Sequence, residues 1–394
     1  MTETGRQPRI HSVYAGMPRT IFDYMSGLAR EFGAINLGQG FPDGPSPREL
    51  IEAAQRALRY KSSQYPPSSG LPELRDAIVA FYARRQGLAL AREQVVVTSG
   101  GTEAIAAAVL ALVGEGDAVI LFQPAYDAYA PLVRRAGGVP VSIPLAPPDW
   151  RIPLDRLAAA IGPRCRLLIL NDPLNPTGTV ASEAELAGIA DLCIRHDLTA
   201  ICDEVWEEVR FDGRAHRSLL SFPGMEDRGV KIGSAGKIFG LTGWKIGWIV
   251  AAPALAAGLA RAHQFLTYAT APPLQWAVAE GLALPDGWFE RQRAGWAASR
   301  ERLRRGLESA GYVVLPNAAT WFLSIDLAAS GVALTDRTFS ERAVREAGVA
   351  SIPVSALFEG QGTPGHVVRL CFTKPDTMVD EAVERLAAFR RALV

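Results

Sequence analysis

The chain has 394 residues, 48% of them hydrophobic and 21% charged. A chain of this length and composition buries a large core without disulfides or metals and is expected to form two domains. Lys+Arg and Asp+Glu both number 41. A net charge of zero argues against a nucleic-acid or membrane-surface partner and leaves self-association easy.

The first elements are helical. Ile21 to Phe32 has helical periodicity, and Asn36–Pro45 is a Gly/Pro loop. Pro47 to Arg59 reads as a helix with Ser46 as N-cap and Pro47 in the first turn. Tyr65-Pro-Pro-Ser-Ser-Gly70 breaks the chain before a further helix, Leu71 to Gln86. Short apolar runs then read as buried strands: Val95–Ser99, Ala118–Phe122, Val139–Ile143, Leu167–Leu170, Thr199–Cys202, Val230–Ser234 and Ile246–Val250. Helical stretches at Glu103–Val113, Tyr126–Ala136, Leu154–Ile161 and Ser182–His196 separate several of them. This alternation predicts an α/β fold with a mostly parallel seven-stranded sheet. From about Pro285 a long charged helix, Trp288 to Ala310, leads to strands near Tyr312–Val314, Thr320–Asp326 and Val367–Phe372, then a closing helix. The expected division is an N-terminal arm, 1–45, joining a smaller α+β domain, 286–394, beside a large domain, 46–285.

Cys165, Cys193, Cys202 and Cys371 form no Cys-x-x-Cys pair, and the five histidines show no metal-ligand spacing. Met1 to Pro8 is polar, unlike a secretory signal, and no apolar run reaches membrane-spanning length. Buried free thiols and a cytoplasmic location are the expectation.

Five segments carry chemistry. Thr98-Ser-Gly-Gly101-Thr102-Glu-Ala104 joins a strand to a helix, where glycines permit close approach and helix N–H groups face an anion. Tyr126, in Pro124–Tyr129, can stack on a planar ring. Asn171-Asp-Pro-Leu-Asn175-Pro-Thr-Gly178 fixes a loop that can hold the Asn175 amide against a phenolic oxygen. Asp203, in Asp203-Glu-Val-Trp206, is a carboxylate at the end of a buried strand and needs a cationic partner such as a pyridinium nitrogen. Glu204 competes for that role, although strand alternation aims it at the other face. Arg369, within the apolar strand Val368–Phe372, needs an anion: a carboxylate of a ligand or of the protein itself.

Ser234-Ala-Gly-Lys237-Ile-Phe-Gly-Leu-Thr-Gly-Trp-Lys245 joins these pieces. A buried lysine amine loses its proton readily enough to attack an aldehyde, while Ser234 and Lys245 offer a hydroxyl and a cation to a phosphate. Together they point to pyridoxal phosphate.

The order Asn-x-Pro-x-Asn-Pro-Thr-Gly, Asp-Glu-Val-aromatic, Ser-x-x-Lys, Thr-Gly-Trp-Lys-x-Gly-Trp and Arg-x-x-Phe resembles the class I/II aminotransferases of fold type I over nearly the whole chain. Asn36-Leu-Gly-Gln-Gly40-Phe-Pro-Asp is most similar to the branch holding kynurenine/glutamine, methionine and N-succinyldiaminopimelate aminotransferases. The resemblance implies roles. Lys237 attaches the cofactor and shuttles the proton. Asp203 pairs with the ring nitrogen, Asn175 holds the ring hydroxyl and Tyr126 stacks on the ring. Gly101, Thr102, Ser234 and Lys245 hold the phosphate. Tyr65 reaches the phosphate in the partner subunit, making a homodimer with shared sites. Arg369, with Asn175 and the Gly40 backbone, binds the substrate α-carboxylate, and Phe22, Tyr65 and the partner-borne Tyr268 line the side-chain pocket.

There are departures from the family pattern. Trp206 stands where the family usually has a tyrosine that donates to the ring hydroxyl; an indole can donate but cannot ionise. Leu174 replaces a residue that is often histidine, and Thr102 replaces an aromatic found in some relatives. The expected reaction is transfer of the amino group of a neutral, apolar, aromatic, Met-like or Gln-like amino acid to a 2-oxo acid. The alternatives are N-succinyldiaminopimelate as donor and β-elimination from cysteine conjugates. A transcriptional sensor lacks room for a DNA-binding domain, and a nicotinamide fold lacks its Gly-x-Gly-x-x-Gly turn.

Overall fold

A computed structural model of the chain describes residues 10–394; the polar stretch Met1–Pro8 lies outside the described residues. In chain order the strands are β1 (Ile35–Asn36), β2 (Val95–Thr98), β3 (Ala118–Gln123), β4 (Val139–Pro144), β5 (Cys165–Asn171), β6 (Thr199–Asp203) and β7 (Gly229–Ser234). They continue with β8 (Gly247–Ala251), β9 (Val313–Val314), β10 (Phe322–Asp326), β11 (Val349–Ala350), β12 (Ile352–Pro353) and β13 (Val367–Cys371).

All seven apolar runs expected as strands between 95 and 251 join one sheet, in the order β2-β8-β7-β6-β5-β3-β4. Only β8 runs against its neighbours. The runs are nearly continuous in apolar residues because both faces are covered. Leu167 and Ile169 of β5 pack in one core, Leu168 and Leu170 in another on the opposite side. Strands β2, β3, β5, β6 and β7 all end on the same edge of the sheet, where open α/β sheets gather their ligands. Register aligns the ends: Asn171 lies beside Asp203, and Thr98 and Ser234 both lie beside Gly247.

A second sheet has the order β12-β13-β10-β9, antiparallel throughout. The N-terminal segment reaches this region, since β1 pairs in parallel with β11.

Several local expectations need correction. Ser46 is not the cap of the helix Arg48–Tyr60; Pro47 holds that position and no side chain caps it. Proline at the boundary fixes φ but offers no side-chain acceptor; only its carbonyl accepts, from Ile51 N at 3.1 Å. The helix expected from Tyr126 begins only at Tyr129, because residues 124–128 form a turn that carries Tyr126 toward the sheet edge. The helices Pro253–Leu266 and Pro272–Leu282 have no counterpart among the sequence expectations; their prolines occupy the first helical turn. All four cysteines are buried and free, as composition suggested.

Candidate active site

The five chemistry-bearing segments converge on one cavity of about 250 Å³ at the carboxyl edge of the large sheet. Its wall includes Phe22, Gly40, Gly101, Thr102, Tyr126, Asn175, Asp203, Trp206, Ser234, Lys237, Lys245 and Arg369. Of the expected site residues, only Tyr65 and Tyr268 lie away from it. Both are exposed and meet each other edge to face at 5.3 Å.

One end of the cavity is an anion cradle. The helix Gly101–Leu112 starts there, with Gly100 at its N-cap and no capping side chain. Glu103 in its first turn instead accepts from Ser99 N at 3.0 Å. The leading N–H groups are therefore free for an incoming anion. Gly100 has φ +83°, and a Cβ there would lie 3.2 Å from Lys245 Nζ. A Cβ on Gly247 would fall 2.6 Å from the Gly100 carbonyl carbon, so two backbones touch beneath the cradle. Ser234 borders the same space.

The middle is built for a planar cation. Asp203 is buried and faces the cavity. Its carboxylate accepts from Tyr129 Oη, while Asn171 Nδ2 donates to the Asp203 carbonyl at 2.8 Å. Burial raises the Asp203 carboxyl above the usual range, partly opposed by the Tyr129 hydrogen bond. Such a group is in need of a positive partner. Tyr126 lines the cavity nearby, its hydroxyl 3.2 Å from Thr102 Oγ1. Sequence reasoning left Tyr129 and Asn171 without roles. Both stood in quoted motifs, and Tyr129 is three residues beyond Tyr126, but its partner is 74 residues away.

Glu204 points the other way, as alternation predicted. It meets Lys231, His216 and Ser218 behind the sheet, and Lys231 also donates to Glu207 at 2.6 Å. Burial pushes the Glu204 carboxyl up, but Lys231 and His216 pull it down further, to about 2. Glu204, Glu207 and His216 are close enough to suggest metal ligands, yet the Lys231 ammonium lies between the two carboxylates and does that work instead.

Lys237 sits in the short helix Ala235–Ile238 that follows β7. Burial lowers its amine to about 8, opposed in part by Asp203. Trp206 is buried against the cavity and meets Trp321 and Phe322 edge to face.

The far end is a carboxylate clamp. Arg369 is 1% exposed. Its Nη1 donates to Asn175 Oδ1 at 3.1 Å and its Nη2 to the Gly38 carbonyl, but its Nε has no partner. Burial lowers the guanidinium to about 10, partly opposed by Cys371 and Asp127. The protein-internal salt bridge left open by the sequence is absent among the described residues. A buried cation bonded only to neutral oxygens is costly until an anion arrives. Phe22 and Phe322 flank its plane, with ring centroids 5.0 and 4.0 Å from the guanidinium carbon.

An anion cradle, a carboxylate awaiting a flat cation, a low-pKa lysine and a carboxylate clamp in one cavity define an enzyme acting on amino acids with a phosphorylated aldehyde cofactor. Residues 33–386 match the family model for aminotransferase class I and II, and the chain belongs to that family. It is 43% identical to a probable N-succinyldiaminopimelate aminotransferase of Mycobacterium tuberculosis, over 93% of this chain and 95% of that protein. It is 39% identical to the methionine aminotransferase of Escherichia coli, over 93% and 95%. The solved structure of the N-succinyldiaminopimelate aminotransferase from Mycobacterium tuberculosis superposes with a TM-score of 0.93, covering 96% of this chain and all of that one. The chain is an aminotransferase of fold type I, and its cofactor is pyridoxal phosphate.

Proposed function

We propose that the enzyme takes the amino group from a neutral L-amino acid with an apolar or aromatic side chain and gives it to a 2-oxo acid. Bound pyridoxal phosphate supplies an aldehyde carbon for the amine and a ring that accepts electrons from the substrate Cα. The leading N–H groups of Gly101 and Thr102, with Ser234 and Lys245, would hold the phosphate. Asp203 would pair with the ring nitrogen, Tyr126 would cover the ring, and Asn175 and the Trp206 indole would face its hydroxyl. Lys237 would attach the cofactor, take the Cα proton at Nζ and return it. Arg369, Asn175 and the Gly40 backbone would orient the α-carboxylate. In this reading the sheet of residues 46–285 carries the cofactor, and the arm (1–45) and 286–394 close over the substrate.

Arg369 carries the substrate assignment. It accounts for the one carboxylate every amino acid has. The cavity's other cations are Lys237 and Lys245, which serve the cofactor. Phe22 and Phe322 line what remains. A second carboxylate buried there would lack a partner and cost a few kcal/mol, disfavouring aspartate by about a hundredfold. A competing observation favours a long acidic substrate. The groove beyond Tyr126, between the N-terminal arm, β3 and the helix Tyr129–Arg135, is lined by Arg19 and Arg337 beside Asp127 and Glu341, and neither arginine has a salt-bridge partner among the described residues. N-succinyldiaminopimelate could extend its distal carboxylate there. Comparing kcat/KM for methionine, phenylalanine, glutamine, aspartate and N-succinyldiaminopimelate decides between them. The neutral three should exceed aspartate. Aspartate as best substrate would end the apolar reading, and a wide lead for the acylated donor would transfer the assignment to it.

The working unit in this proposal is a homodimer in a reducing cytoplasm, where the four buried thiols stay free. Tyr65 is 84% exposed and Tyr268 43%, and the two rings stand edge to face. Large exposed aromatics at one place suit a subunit contact. No helix among the described residues is long and apolar enough to cross a membrane. If Tyr65 serves the partner's site, mixing inactive Tyr65→Ala and Lys237→Ala chains restores one working site in each mixed dimer. Mixtures that stay inactive while exchanging subunits would refute shared sites.

A further inference from the structure

Lys237 Nζ lies in a corner made by two indoles. It is 4.7 Å from the centroid of the Trp206 ring and 5.2 Å from that of Trp321, both within the range of cation–π attraction. The rings meet edge to face, 4.9 Å apart and 86° to one another. The corner does not depend on the lysine for its shape. Trp206 is also braced by Phe322 at 5.4 Å, and Trp321 by Trp296 at 5.5 Å on the long helix Asp286–Ser309. Trp321 is fully buried, and its Nε1 has no hydrogen-bond partner. A buried indole with an unsatisfied donor is an expensive way to fill space. What this side chain offers the site is the face of its ring.

We propose that Trp206 and Trp321 form a two-walled cage that holds the Lys237 ammonium whenever the lysine is not bonded to the cofactor. This rests on Lys237 being the attachment lysine. A lysine that has taken the Cα proton is a cation without a bond to anchor it. Its surroundings pull in two directions. Asp203 and Cys371 favour the charged form, while Arg369 and Lys245 oppose it, and burial opposes it most. The indole faces add attraction on the side of Asp203 and do so from fixed positions. The proton thus waits at Nζ, near the reacting centre, until it is returned to carbon. The two tryptophans are positioning residues: they touch the proton carrier, and neither gains nor loses a proton. The ordinary family tyrosine at position 206 would offer a weaker ring face and an ionisable hydroxyl, so the indole exchanges hydroxyl chemistry for cation binding.

The test is the titration of Lys237 in cofactor-free protein, read by competitive acetylation against pH with mass-spectrometric mapping of its peptide. Wild-type protein should show a midpoint near 8. Trp206→Leu and Trp321→Leu should each lower that midpoint by about half to one pH unit, since they remove a face that favours the ammonium. Phenylalanine at either position should restore part of the shift. Because Trp321→Leu opens space in the core, a second measurement keeps the shape. Incorporating mono-, di- and trifluorinated tryptophan drains the ring face without changing its outline, and the midpoint should fall stepwise. A midpoint unmoved both by fluorination and by folded leucine variants would overturn the cage. Borohydride reduction of the holoenzyme separates this failure from that of the underlying assignment. Cofactor fixed to the Lys237 peptide with an insensitive midpoint rejects the cage alone; cofactor fixed to another lysine rejects Lys237.

Discussion

Lys237→Ala should reduce turnover by about ten-thousandfold or more, the upper end of what a positioned general base contributes, and should abolish the visible absorbance of lysine-bound cofactor. Two losses coincide at one atom. In the proposed roles, the nucleophile that would attach the cofactor disappears, and so does the base that would move the Cα proton. The geometry explains why this lysine can do both. β7 ends at Ser234 on the sheet edge, and the short turn of helix after it delivers Nζ to the cavity. Burial brings the amine to about 8, so an appreciable share is unprotonated near neutral pH, where a lysine in water would be almost wholly charged. The anion cradle does not include Lys237, so the variant should still bind the cofactor without a covalent bond. Equilibrium dialysis of the variant checks this directly. Near-normal transamination by Lys237→Ala would sink the assignment.

The adjacent pair Asp203 and Glu204 should respond to the same substitution in opposite ways. Asp203→Ala should cut kcat/KM by about a thousandfold, comparable to removing an electrostatic stabiliser aimed at developing charge. The fold should survive, because Asp203 is a buried carboxylate whose burial disfavours its charged form in the cofactor-free protein. Glu204→Ala should do the reverse. It leaves the buried Lys231 ammonium with Glu207 alone, and breaking a buried ion pair costs about 3–5 kcal/mol. Denaturation by urea would detect that loss, while the activity of the folded fraction stays close to normal. The Glu204 contribution has a defined pH window. Its folded carboxyl lies at about 2, below its ordinary value of 4.5. Its stabilisation is therefore present above the unfolded value and fades as pH falls toward 2. A mild Asp203→Ala with a catalytically dead but stable Glu204→Ala would mean the roles are exchanged.

The large sheet was legible because its strands are covered on both faces. Leu167 to Leu170 is apolar at every position, which marks a buried strand without any need for alternation. Lys237, Asp203 and Arg369 were legible for the opposite reason: each is a charge set within apolar sequence, which calls for a partner. Alternation along β6 was enough to separate Asp203 from Glu204. Contacts made by ordinary-looking residues far apart in the chain were not legible. Nothing in the sequence around Tyr129 announces that its hydroxyl meets Asp203, and nothing around Trp321 announces its approach to Lys237. The helices Pro253–Leu266 and Pro272–Leu282 were missed because proline interrupts a helix in its interior and opens one at its first turn. Sequence shows the residue but not on which side of the boundary it falls.

The clamp and the cradle come from different stretches of chain. The cradle residues that one chain supplies, Gly100, Gly101, Thr102, Ser234, Lys245 and Gly247, all precede the second sheet. The clamp needs Gly38, Asn175 and Arg369, and Arg369 sits on an inner strand of the second sheet, with β10 and β12 beside it. A chain emerging from the ribosome is made from its N-terminus, and domains tend to fold as units as they appear. A large domain that folded as such a unit would form its cradle before Arg369 has been synthesised. With the roles proposed for these residues, the order of birth would set an order of assembly: a chain's own share of the phosphate site is made before the residue that would orient the amino acid.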